Sequence, residues 1–127
     1  MYRFEKLRVY HNALKLVEEI YKLIKLLPND EKFALIDQLK RASVSIVLNI
    51  AEGTGGLGDI EFKNFLRIAL KSLYETAAGL KIAERLFKIN IKIALEKCEI
   101  VGKELNALIK SLSSQRQKTS WSLVNSH

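Results

Sequence analysis

Apolar residues recur at intervals of three and four along almost the whole chain, and the period breaks clearly at only two places, Pro28 and the cluster Gly53, Gly55, Gly56 and Gly58. That spacing lines one face of a 3.6-residue helix, whereas a half-buried strand needs strict alternation, so the period selects an all-α fold. Proline lacks the amide a helix interior needs and clustered glycines punctuate chains, so both breaks read as connections. The helices fall at about residues 4–27, 31–52, 59–88 and 91–112, with the junction near Asn90 marked least strongly.

Each segment has an apolar face. The first puts Val9, Ala13, Leu16, Val17, Ile20, Ile24 and Leu27 on one side. The second buries Leu35, Leu39, Ala42, Ile46 and Ile50, and the fourth Ala94, Cys98, Val101, Leu105, Leu108 and Leu112. Four amphipathic helices with short connections predict an up-down-up-down four-helix bundle over residues 1–112. From residue 113 the period fades into polar sequence, which predicts a flexible tail over 113–127 in which Trp121 alone is suited to docking.

The 127 residues suffice for one domain with a substantial core. Lys and Arg number 21 against 14 Asp and Glu, a formal charge of +7 that points to polyanionic partners, nucleic acid before membrane. Catalytic chemistry is poorly supplied. Cys98 is the single cysteine and the two histidines are His11 and the terminal His127, so no acid, base and nucleophile set converges, and the chain reads as neither enzyme nor metal protein. A di-metal bundle needs Glu-x-x-His on two helices, yet Arg8 stands three residues before His11. Apolar runs such as Ser45 to Ala51 fall far short of the ~20 residues that cross a bilayer. The first residues carry no secretory pattern, so a cytoplasmic location is expected.

The third helix gives the sharpest local signal. Its six basic residues, Lys63, Arg67, Lys71, Lys81, Arg85 and Lys88, fall within roughly a 100° arc, with Tyr74 inside it. Cations on a rigid ridge release counterions from phosphates, and an aromatic ring among them can stack on an unpaired base. The ordinary alternative is plain solvation of a basic surface. On the first helix Arg8, Lys15 and Lys22 form a weaker stripe, interrupted by Glu18, that reads as an outer steering surface. The second helix carries a polar ladder, Asp37, Arg41, Ser45, Asn49 and Glu52, with Leu48 among them, which predicts a subunit contact. Asp37 and Arg41 also stand at the four-residue spacing of an intrahelical ion pair. The glycines nominally satisfy G-x-G-x-x-G, but a helix enters the cluster where a dinucleotide fold needs a strand, so they read as a helix stop with Gly58 or Asp59 capping the next helix.

The run Phe33-Ala34-Leu35-Ile36-Asp37-Gln38-Leu39-Lys40-Arg41-Ala42, then Ser45-Ile46 and Asn49-Ile50-Ala51-Glu52-Gly53, followed by Glu61-Phe62, Phe65-Leu66, Ile68-Ala69-Leu70 and Ser72-Leu73-Tyr74-Glu75, resembles the four-helix-bundle proteins encoded in intervening sequences of bacterial 23S ribosomal RNA genes. The likeness covers about residues 4–112. It departs at Val47-Leu48, where the family usually has Pro-Ser, and at Lys71-Ser72, where it usually has Gly-Ser. The resemblance implies a left-handed bundle assembled as a five-fold ring, in a family with no demonstrated enzymatic activity. The chain is also similar to the accessory variability determinant proteins of diversity-generating retroelements, which implies binding to nucleic acid and to a reverse transcriptase. Residues and resemblance together predict a non-enzymatic, cofactor-free homo-oligomer, a pentamer by resemblance, that binds structured RNA or an RNA/DNA hybrid. The competing expectation is a protein-interaction scaffold whose charge serves solubility.

Overall fold

The computed structural model describes residues 1–56 and 58–125, excepting the side chains of Lys32 and of residues 114–125. Four α-helices follow one another: α1 (Arg8–Ile24), α2 (Asp37–Thr54), α3 (Asp59–Phe87) and α4 (Lys92–Asn125). There is no strand among the described residues. Each helix packs on its neighbours in sequence, α2 against α3 most extensively, and α1 closes the square against α4. This is the up-down-up-down arrangement that the apolar period and short connections predict. The fourth helix, expected to end near residue 112, continues in its backbone to Asn125, and the side chains from residue 114 onward, Trp121 included, lie outside the described residues.

The core is aliphatic. Leu16, Ile20, Leu39, Ile46, Ile50, Leu66, Leu80, Val101 and Leu105 are fully buried, and each comes from the apolar face of its helix. Val17 and Leu108, also expected inside, sit at the core's edge. At roughly 1.5–3 kcal/mol for each buried Leu, Ile or Val side chain, these faces are the main attraction between the helices.

The helix ends show where local chemistry departs from periodicity. The first helix was expected from about residue 4, but Arg3–Lys6 form a 3₁₀ turn and Leu7 is extended (φ −89°, ψ 127°), so α1 starts at Arg8. The backbone N–H of Tyr2 donates to Glu5 Oε1 at 2.9 Å, and the His11 ring Nε2 donates to the Glu5 carbonyl at 2.6 Å. His11 thereby satisfies a carbonyl that the break would leave open. Ahead of α2, residues Lys32–Ile36 form a π-helical turn. At the weakest junction Lys88 takes the left-handed conformation (φ 58°), and its N–H donates to the Glu84 carbonyl at 3.0 Å. Asn90 Oδ1 then accepts from the Lys92 N–H at 3.0 Å to begin α4.

One glycine of the cluster plays a different part from the one expected. The second helix runs on through Gly53 to Thr54, and Gly53 is buried inside it. A Cβ there would lie 2.8 Å from Phe62 Cδ1 and 3.0 Å from Phe65 Cβ on α3. Gly53 is therefore a packing residue that lets α2 and α3 meet. Gly58, at φ 148°, adopts a backbone that side chains disfavour and precedes α3 without a side-chain cap.

Candidate nucleic-acid interface

The α2–α3 seam fixes which way α3 faces. Ser72 Oγ donates to Ser45 Oγ at 2.9 Å, Gln38 Nε2 donates to Glu75 Oε2 at 3.1 Å, and Gly79 lies against Leu39. On α3's opposite flank Leu70, Leu73 and Ala77 meet Leu95, Cys98 and Gly102 of α4. The basic residues lie just outside this second contact. Arg67, Lys71, Lys81, Arg85 and Lys88 are exposed, none is held in a salt bridge among the described residues, and Tyr74 stands among them 64% exposed. Toward the end of α3, Lys81, Arg85 and Lys88 border a broad depression of about 710 Å³ with Ile82, Glu84 and Leu86.

Two of the expected groups are placed differently. Lys63 is half-buried, and its Nζ donates to Ser113 Oγ of α4 at 3.3 Å, which draws it off the open ridge. Arg8, Lys15 and Lys22 are exposed but belong to α1, diagonally across the bundle from α3, and Lys22 lies 4.0 Å from Glu19. The stripe on α1 and the arc on α3 are separate surfaces.

Packing brings a second row of charged residues, three lysines with Glu99 among them, to this side of the bundle. Lys103 lines the α3–α4 groove. Lys92 stands three residues before groove-lining Leu95, and Lys110 three before Ser113, the partner of Lys63, so both exposed lysines project along the same edge of α4. Their separations of eleven and seven residues, Lys92 to Lys103 to Lys110, are whole numbers of helical turns to within a few tens of degrees. That spacing was the available signal. The groove, about 290 Å³, has an apolar floor and carries one cation, Lys103, and one carboxylate, Glu99, in its lining, while the exposed α3 cations stand beyond Tyr74.

The second-helix ladder divides. Arg41 Nε donates to Asp37 Oδ2 at 2.8 Å within the helix, the intrahelical pair that the four-residue spacing allows. Asn49 Nδ2 donates to the Ser45 carbonyl at 2.8 Å and to Ser45 Oγ at 3.0 Å, so Ser45, Asn49 and Ser72 form one network inside the chain. Leu48 and Glu52 are left facing outward.

Cys98 forms part of the groove floor and is buried. Burial pushes its thiol from an ordinary 9.0 up to about 12, with the Glu99 carboxylate adding to the effect. Native protein at pH 8 should therefore react with iodoacetamide at least a hundredfold more slowly than urea-unfolded protein. The linkage has a definite sign. Below pH 9 the thiol is neutral in both states; between 9 and 12 only the unfolded chain releases the proton, so wild type should lose stability relative to Cys98→Ala over that window. Urea titrations of the two proteins across pH 8–11 measure it, and parallel curves would contradict it. Among the described residues no three His, Cys, Asp or Glu are grouped to hold a metal ion. No helix among them is long and apolar enough to cross a membrane.

Comparison with known proteins matches residues 5–114 to the family described as 23S rRNA-intervening sequence protein. Among solved structures the chain is similar to a protein of unknown function from the S23 ribosomal protein family of Bacteroides thetaiotaomicron VPI-5482, determined by crystallography at 1.70 Å. The two share 30% identity over 80% of this chain and 95% of that one, with a TM-score of 0.71. No curated protein matches.

Proposed function

Because the chain belongs to the 23S rRNA-intervening sequence protein family, we propose that it is a non-enzymatic, homo-oligomeric bundle that binds structured RNA or an RNA/DNA hybrid through its α3–α4 face. The observation that carries this reading is the pair of cation rows, Arg67, Lys71, Lys81, Arg85 and Lys88 on α3 and Lys92, Lys103 and Lys110 on α4. Rigid helices hold both rows at little further entropic cost, and unpaired cations are free to replace counterions on phosphates. The bundle works in the cytoplasm, and a reverse transcriptase is its protein partner in the form of the proposal that follows the likeness to accessory variability determinant proteins.

Self-association would use the outer side of the α2–α3 seam. Leu48 of α2 is 53%, and Ile68 and Ile82 of α3 are 46% and 47% exposed, apolar side chains that a subunit contact would cover. A ring, five-fold by resemblance, would present the basic face once per subunit, so that modest contacts add through avidity.

Three proteins test the proposal: wild type, Arg67→Glu/Lys71→Glu, and Leu48→Glu/Ile68→Glu. Mass is read by light scattering and affinity for a structured RNA by fluorescence anisotropy. The charge variant should keep its mass and lose at least a hundredfold in affinity, and the apolar variant should fall to a smaller species and lose the avidity. Equal RNA binding by wild type and the charge variant would leave the ridge as solvated surface and turn the question to a protein partner.

A further inference from the structure

We propose that the α3–α4 groove receives an unpaired base of the bound RNA, with Tyr74 stacked on it, so that the protein selects single-stranded over paired segments. The inference rests on the RNA-binding reading above and specifies which part of an RNA that face recognises.

Three observations point the same way. The groove joins unlike surfaces: its floor is Leu73 and Cys98, both buried, with Leu70, Ala77 and Leu95 around them, while Lys103 and Glu99 of α4 line its edge and the exposed Lys71 and Arg67 lie farther out on α3. An apolar slot with an exposed aromatic wall and cations nearby matches a nucleotide, which has a flat, weakly hydrated base on a charged backbone. Its volume, about 290 Å³, falls just below the range for small-molecule sites, roughly 300–1,000 Å³, and suits one ring system better than a peptide helix. The slot also exists because of a particular residue. Gly102 lacks a side chain where a Cβ would stand 3.1 Å from Leu73 Cδ2, so the wall of α4 is cut back over the Leu73 floor.

Tyr74 completes the arrangement. It lines the groove and yet is 64% exposed, so its ring is a wall open to solvent, with the exposed cation Lys71 one turn away and Arg67 and Lys81 two turns away. A base held in a duplex is already stacked on both sides and cannot enter, whereas an unpaired base gains a stacking surface and a dry floor together.

The test uses full-length protein with a twelve-nucleotide single-stranded RNA and a blunt duplex carrying the same number of phosphates, at one salt concentration. Wild type should prefer the single strand by about tenfold. Tyr74→Ala should erase the preference by weakening single-strand binding about tenfold while duplex binding stays within twofold. Gly102→Leu, which fills the slot without altering charge, should do the same, and Tyr74→Ala, an exposed change, keeps the test decisive if Gly102→Leu misfolds. Equal wild-type affinity for both RNAs, or a Tyr74→Ala loss shared by both, would overturn the groove assignment while leaving RNA binding in place. Absence of binding to either RNA would overturn the RNA-binding reading and the groove with it. A fall in oligomeric mass with Tyr74→Ala would make the groove a subunit seam and also overturn the assignment.

Discussion

Gly53→Val is expected to lower the free energy of unfolding by about 3 kcal/mol, toward the upper end of what overpacking a core costs. Propensity alone argues for the opposite sign, because glycine inside a helix is about 1 kcal/mol worse than alanine. Space decides the matter. The Cβ position at Gly53 already lies 3.0 Å from Phe65 Cβ, an atom fixed to the α3 backbone, and 2.8 Å from the Phe62 ring. Relief therefore requires α2 and α3 to move apart along the most extensive helix contact in the bundle. Gly55→Val supplies the control: Gly55 is exposed at φ −86°, and its Cβ position meets nothing nearer than the Glu52 carbonyl at 3.6 Å. Urea denaturation should separate the two variants by at least 2 kcal/mol. Equal costs would return Gly53 to the role of a helix stop.

The affinity for RNA should fall steeply and log-linearly with salt. If six phosphates are neutralised on a single strand, a slope of about −0.7 per contact predicts a loss of roughly 300-fold between 50 and 200 mM salt. Removing Arg67 and Lys71 should flatten the slope by about two contacts as well as lower the affinity. An acidic protein partner would also respond to salt, but through screening at a few rim charges, and a contact built on Leu48, Ile68 and Ile82 would hardly respond. The slope thus distinguishes binding through the α3–α4 cations from a scaffold role, where a single affinity could not.

Much of this is legible in the sequence. The three-and-four period identified the buried faces, since the helical repeat turns spacing into direction, and Leu16, Leu39, Ile46 and Leu105 all lie where it puts them. The α3 cations share an arc for the same reason. Properties of one helix about its own axis are written locally, and a sequence displays them.

The tertiary structure decided what lies between helices. Ser45 and Asn49, on a polar ladder that suggested a subunit contact, turn out to bond each other and Ser72 within the chain. Gly53 is a contact residue because Phe62 and Phe65 stand opposite it. Arg8, Lys15 and Lys22 are set diagonally away from the α3 ridge, while Lys103 and the groove beside Tyr74 join it. Each of these depends on the rotation and closeness of two helices about each other, which follow from how whole faces interdigitate and not from the spacing along either one.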